Sequence, residues 1–221
     1  TAEERYNLFK KHLELRGAAV TANQFRGIKG AQEWKKKRPE LKRQFMDLLG
    51  LDPLPARTPL KARITGGFER ERYRVENIVF ESMPGLYVTG NLYLPAEAAK
   101  QKVPTILYVS GHSPGLFGAK VDYQRHGIWF AQNGFAAFLL DTIEFGEIPG
   151  NHHGTHDLQM WYWLSLGYSP AAVEVWNAMR ALDYLETRKE VDTPRFGMTG
   201  RSGGGAITWF TAAADDRVKA A

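Results

Sequence analysis

The stretch of this sequence best suited to chemistry is Gly200-Arg201-Ser202-Gly203-Gly204. A serine hydroxyl is presented for attack when a tight turn exposes it, and a Gly-x-Ser-x-Gly frame supplies the small neighbours such a turn needs. The pattern alone is weak, because a Gly-rich turn from strand to helix can equally cradle a phosphate at the helix N-terminus. Its context strengthens the first reading. A short β-rich run, Arg195 to Thr199, precedes it and a Gly/Ala-rich helix, Gly203 to Ala214, follows. In this elbow reading Ser202 is the catalytic nucleophile, with Gly200 and Gly204 as the elbow glycines. Acyl transfer also needs donors for the oxyanion. The backbone N–H of Gly203 is one candidate. The backbone N–H of His112, in the loop Ser110-Gly111-His112 after an earlier strand, is the other. The His112 side chain itself reads as a loop imidazole satisfied by its neighbours.

Three further groups carry reactive residue types. His152, His153 and His156 with Asp157 have the right ligand chemistry for zinc but not an ordinary zinc spacing. A polar rim loop, substrate contacts, and a metal ligand or surrogate base remain open readings, and no metal site is assigned. Asp141, Glu144 and Glu147 follow an apolar run and read as carboxylates that cap or anchor a loop. Met160-Trp161-Tyr162-Trp163 reads as packing, or as a platform in which Trp161 and Trp163 stack on a sugar ring.

The elements that must position these residues follow from periodicity. Tyr6, Phe9 and Leu13 recur at helical spacing from Ala2 to Leu15, and Gly17 is a plausible stop. A second helix is expected from about Pro39 to Leu49. Pro53 to Pro59 then reads as a stiff connector and a domain boundary. Two β-rich runs flank Met83-Pro84-Gly85, a hairpin signal. Thr105 to Val109 and Phe135 to Leu140 are apolar runs of the kind buried on both faces of a parallel sheet. Between them Asp122 to Gln132 can form a helix. Ser169-Pro170 opens a strong helix, with Ser as N-cap and Pro at the first helical position. Val218 to Ala221 reads as the start of another strand. Strands alternating with helices after a hairpin predict an α/β, mostly parallel sheet with helices on both faces.

Composition excludes several classes. The 221 residues contain no cysteine, which removes disulfides, thiolate metal sites and cysteine nucleophiles together. The longest apolar run, Phe135 to Leu140, is far too short to cross a bilayer, so no membrane partner is expected. The net charge of +5 draws on Lys35-Lys36-Lys37-Arg38 and Lys42-Arg43. These read as the solvated side of a helix rather than as a nucleic-acid surface. The chain begins with Thr1 and not with Met, which reads as a processed or trimmed N-terminus. A secreted or periplasmic location is consistent with that, and the compartment stays open.

From about Tyr73 onward the pieces occur in a familiar order. They are the hairpin ending Leu92-Tyr93-Leu94-Pro95, the strand Leu107-Tyr108-Val109-Ser110-Gly111-His112, and Asp141 after the next strand. Then come Ala181-Leu182-Asp183-Tyr184-Leu185, Val191-Asp192, the elbow, and Asp216-Arg217-Val218-Lys219-Ala220-Ala221. In this the chain resembles the α/β-hydrolase superfamily, and specifically its acetyl xylan esterase and dienelactone hydrolase-like branch. The resemblance implies a serine esterase working through an acyl-enzyme, without cofactor, on a small-molecule or carbohydrate ester. It carries the nucleophile to Ser202 and the oxyanion donors to Gly203 and His112. The family usually has His-Gly where this chain has Ser110-Gly111. Its acid and catalytic histidine follow the nucleophile at the ends of later strands. The resemblance therefore implies that the C-terminal strands, the acid and the base lie in a further segment or a second chain. On this reading residues 1–60 are a helical extension with its connector, and residues 61–221 are an incomplete hydrolase domain. Two alternatives stand beside it. One is a non-catalytic pseudo-hydrolase or binding module. The other is a prolyl-oligopeptidase-type peptidase, for whose propeller roughly 70 leading residues are too few.

Overall fold

The computed structural model describes residues 1–113, 118–155 and 157–221. The chain divides into two compact units, Thr1–Gln44 and Phe45–Ala221. The first holds helix α1, Ala2–Gln24, and most of α2, Ala31–Leu49. Thr1 caps α1: its Oγ1 accepts the Glu4 N–H at 3.2 Å, and the Glu4 carboxylate pairs with the terminal amine. The stop expected at Gly17 does not occur. A glycine inside a helix costs only about 1 kcal/mol relative to alanine, and helix-compatible residues continue after it to Gln24. Helix α2 likewise begins eight residues before Pro39, which lies within it. Glu40 bridges this helix locally, accepting from Lys37 at 2.9 Å and from Gln44 at 3.2 Å.

The second unit starts ahead of the proline-rich connector, because Met46, Leu49 and Leu51 are buried in its core. Among the described residues its seven strands run β1-β2-β3-β5-β4-β6-β7 across one sheet. They are β1 Arg63–Glu69, β2 Tyr73–Met83, β3 Leu86–Pro95, β4 Val103–Val109, β5 Ala136–Leu140, β6 Val191–Gly200 and β7 Val218–Ala220. The pairs β1/β2, β2/β3 and β3/β5 are antiparallel, and β5, β4, β6 and β7 are mutually parallel. The β2–β3 turn falls at Pro84-Gly85, where Gly85 takes φ 82° and its N–H reaches the Glu81 carboxylate at 2.6 Å. Strand β1 has no sequence forecast, and the reason is plain: all seven of its residues are exposed, so no apolar alternation marks it.

Alternation along β5 separates two cores. Ala136, Phe138 and Leu140 join one cluster with Leu107, Val175, Leu182 and Ile207, while Ala137 and Leu139 join another with Tyr93, Tyr108 and Ala131. Successive strand side chains point to opposite faces. The helices α6, Pro170–Glu186, and α7, Gly203–Ala214, therefore cover one face of the sheet. Helix α4, Gln124–Gln132, preceded by the short α3, Ala119–Asp122, covers the other, and a short α5, Tyr162–Ser165, lies in the connection from β5 to α6. Ser169 caps α6 as expected, its Oγ accepting the Ala171 N–H at 3.2 Å, and Trp176 Nε1 donates to Ser82 O at 3.0 Å. This is an α/β-hydrolase-type sheet with helices on both faces. The chain leaves β4 toward β5 on one side and returns to β6 on the other. The carboxyl end of β4 is thus a switch point, where open α/β sheets bind ligands.

Candidate active site

Val109 at the end of β4 pairs with Gly200 at the end of β6, so the loops leaving both strands meet. Ser202 follows β6 with φ 55° and ψ −121°, a conformation that a residue with a Cβ adopts only under strain of about 1–3 kcal/mol. It stands immediately before α7 and its side chain makes no capping bond to that helix. Close packing holds the turn. A Cβ on Gly204 would lie 2.0 Å from Val109 O, and one on Gly200 would lie 2.5 Å from both Val109 O and Gly204 O. The β4 loop is equally near: a Cβ on Gly111 would stand 3.1 Å from Ser202 Cβ. On Gly203 it would stand 2.7 Å from His112 Cε1. The structure therefore brings together Ser202, Gly203, Gly200, Gly204 and His112.

A cleft of about 360 Å³ opens beside this elbow, lined among others by His112, His152, His153, Ser169, Gly203 and Phe210. Ser110 lies under it, fully buried, with its carbonyl accepting Thr142 Oγ1 at 3.0 Å and its Oγ without a partner among the described residues. His112 Nε2 faces His152 Nε2 at 2.7 Å, and the ring of His153 lies 5.0 Å from that of His112. One nitrogen from each of the three imidazoles lies within 4.8 Å of the others. Burial, reinforced by the neighbouring His112 and His153, pushes His152 down to about 4. Burial and His153 also lower His112. His156 lies outside the described residues.

Two carboxylates hold the histidine loop. Burial tends to raise Glu144, but the N–H groups of His153 and His152, at 3.1 and 2.6 Å, outweigh it and keep this carboxyl below its usual range. Glu174 on α6 is buried, accepts the Ile143 N–H at 2.7 Å, and is pushed up to about 8 by its burial. Its Oε1 is 3.9 Å from His152 Nδ1. With one group pushed up and the other down, both are neutral near pH 7, so this contact is not an ion pair. Sequence reading passed over Glu174. Its only signal was a lone carboxylate inside the apolar run Ala172-Val173-Glu174-Val175-Trp176.

Asp141 has the anchoring part. Its Oδ2 accepts Thr89 Oγ1 at 2.6 Å and the Glu147 N–H at 3.3 Å, and it pairs with the buried ammonium of Lys120, which also meets Glu147. Gly146, at φ 99°, must lack a Cβ there, since one would sit 2.4 Å from Asp141 Oδ1. The two tryptophans part company. Trp163 packs edge-on against Tyr168 at 4.7 Å and over Gly154, whereas Trp161 is exposed.

Sheet order, switch point and strained serine turn together define an α/β-hydrolase-type protein. A family model for the dienelactone hydrolase family matches residues 88–221. The chain belongs to that family. It is 28% identical over 196 residues to YtaP of Bacillus subtilis (strain 168), named as a hydrolase, covering 82% of this chain and 62% of that one. Among solved structures, Methylesterase BT1017 superposes with a TM-score of 0.68 at 27% identity, over 93% of this chain and 44% of its own. An acetyl xylan esterase from Paenibacillus sp. R4 gives 0.58 at 20% identity, over 83% and 58%. A glucuronoyl esterase from Solibacter usitatus gives 0.58 at 19% identity, over 86% and 58%. The chain thus spans roughly half the length of the solved relatives and 62% of YtaP.

Proposed function

We propose that the protein is a serine esterase of the carbohydrate-esterase kind, with Ser202 as nucleophile. The backbone of Ser202, at φ 55° and ψ −121° between β6 and α7, is the observation that carries this reading. A folded chain keeps a strained non-glycine turn where the exposed side chain has work to do. In this reading Ser202 Oγ attacks the ester carbonyl carbon and gives up its proton to a base. The tetrahedral oxyanion is held by the N–H groups of Gly203 and His112. Collapse expels the alcohol and leaves an acyl-serine, which water then cleaves to release the acid. The contact between Gly111 and Ser202 supports His112 as the second donor, since it brings the β4 loop against the nucleophile. The proton acceptor and its orienting carboxylate belong, in this proposal, to residues outside these 221. The relatives whose names state a sugar-linked ester favour an acylated or esterified polysaccharide over a simple lipid ester. Trp161, exposed near the loop, is the proposed stacking surface for a sugar ring.

The test is fluorophosphonate labelling of the full-length protein with peptide mapping, followed by release of acetate from acetylated xylo-oligosaccharides. A label on Ser202, and loss of both label and release in Ser202→Ala, is the expected result. Turnover that survives Ser202→Ala would overturn the reading.

A further inference from the structure

We propose that His112, His152 and His153 form a binding site for a divalent transition metal, of the zinc class, in the cleft beside the elbow. The three imidazoles come from two separate loops, one after β4 and one between β5 and α6, yet one nitrogen from each lies within 4.8 Å of the others. Histidine pairs on one loop are common on solvated rims. Convergence of a third ring from a different strand end is not something local sequence produces.

The geometry fits a metal in specific ways. His112 Nε2 and His152 Nε2 point at one another across 2.7 Å. Two neutral imidazoles can place only one proton on that axis, and a metal ion can take its place. Zinc bonds of about 2.0–2.1 Å at a tetrahedral angle need these nitrogens about 3.3 Å apart, so the rings must separate by roughly 0.6 Å. Behind the rings stand carboxylates. Glu174 Oε1 lies 3.9 Å from His152 Nδ1, and Glu144 Oε2 lies 3.5 Å from His153 Nδ1. Metal-bound histidines characteristically turn their second nitrogen to a carboxylate, which fixes ring orientation. His152 Nδ1 is buried and has no hydrogen-bond partner among the described residues, and a small ring shift toward Glu174 would supply one.

An all-imidazole set selects zinc, cobalt, nickel or copper over magnesium or calcium. Three protein ligands leave at least one coordination position open. The same three histidines line the cleft with Gly203, so that position faces the space where an ester would sit. A water, or a carbonyl or hydroxyl oxygen of the substrate, is the ligand class it would accept. The site stands on the histidines alone and does not require Ser202 to be a nucleophile.

Cobalt titration tests it, with the full-length protein freed of metal by a chelator. The expected result is one equivalent of Co²⁺ bound with the visible d–d bands of a low-coordinate imidazole site, discharged by Zn²⁺. Affinity should fall at least tenfold in His152→Ala and in the half-exposed His153→Gln, which is the variant least able to disturb folding. Ser202→Ala should bind cobalt like the parent. Absence of d–d bands, or undiminished affinity in both histidine variants, overturns the proposal. Loss of fluorophosphonate labelling with intact cobalt bands would instead strike the esterase reading and leave the metal site standing.

Discussion

The elbow between β6 and α7 is held by backbone meeting backbone, whereas the long connection from β5 to α6 is pinned largely through its own carboxylates and the ammonium of Lys120. At the elbow, Gly200 and Gly204 let main chain from β4, β6 and α7 approach to distances at which no Cβ fits. In the connection, Ile143 and Ile148 are buried in the core, and the Asp141–Lys120–Glu147 cluster and the Glu144 carboxylate fix the loop around them. Backbone contact is intolerant of change and cannot be tuned by a titration. Ionic anchoring is adjustable, sensitive to substitution in small steps, and able to accommodate a ligand. The cleft between these regions combines a rigid reactive turn with an adaptable wall.

The largest effects should come from the rigid side. In the full-length protein Ser202→Ala should lower ester turnover by at least about 10³-fold, with the melting curve unchanged or shifted upward. Ser202→Gly should be equally inactive but more stable by about 1 kcal/mol, because glycine accepts the positive φ without strain. A chemical-denaturation series on the two variants checks both. Gly204→Ala, whose Cβ would press on Val109 O, should cost about 3 kcal/mol or prevent folding. An unperturbed Gly204→Ala would show that the two regions do not differ as described.

On the adaptable side the effects should be smaller and local. Glu144→Ala removes the acceptor of two loop amides, and about 1 kcal/mol of local stability should go with it. Hydrogen exchange at His152 and His153 should quicken roughly fivefold while core amides hold their rates. A third location sharpens the contrast. Glu190, at the opposite end of β6 from the elbow, accepts from Arg188 and Arg74. Burial tends to raise its carboxyl, but these guanidiniums outweigh burial and hold it below the usual range. Its folded value being depressed, its contribution is complete above the ordinary glutamate range and is lost as pH falls through the folded value. Denaturation midpoints should therefore drop with acid in the parent and less steeply in Glu190→Gln. The smallest effect belongs to Trp161→Ala, which should raise KM for a polymeric substrate a few-fold and leave kcat nearly alone.

Where local rules act alone, the sequence was readable. The hairpin at Pro84-Gly85, the Ser169-Pro170 helix start and the buried runs of β4 and β5 all declare themselves in the residues that form them. The elbow was legible because its glycines are contiguous. Strand β1 was not, since a fully exposed edge strand carries no apolar period. Neither were the true extents of α1 and α2, where a single Gly17 or Pro39 was outweighed by its helical surroundings.

Sequence by itself therefore determined most of the strand and helix identities, the candidate nucleophile at Ser202 and the small residues around it, because each depends on neighbours within a few positions. Only tertiary structure decided the rest. It strained Ser202 by pinning α7 against β4, turned Glu174 into a buried neutral neighbour of a histidine, and gathered His112 to His152 and His153. Those are contacts between residues 22 to 95 positions apart, and nothing in a local pattern constrains a distance that the folded sheet alone sets.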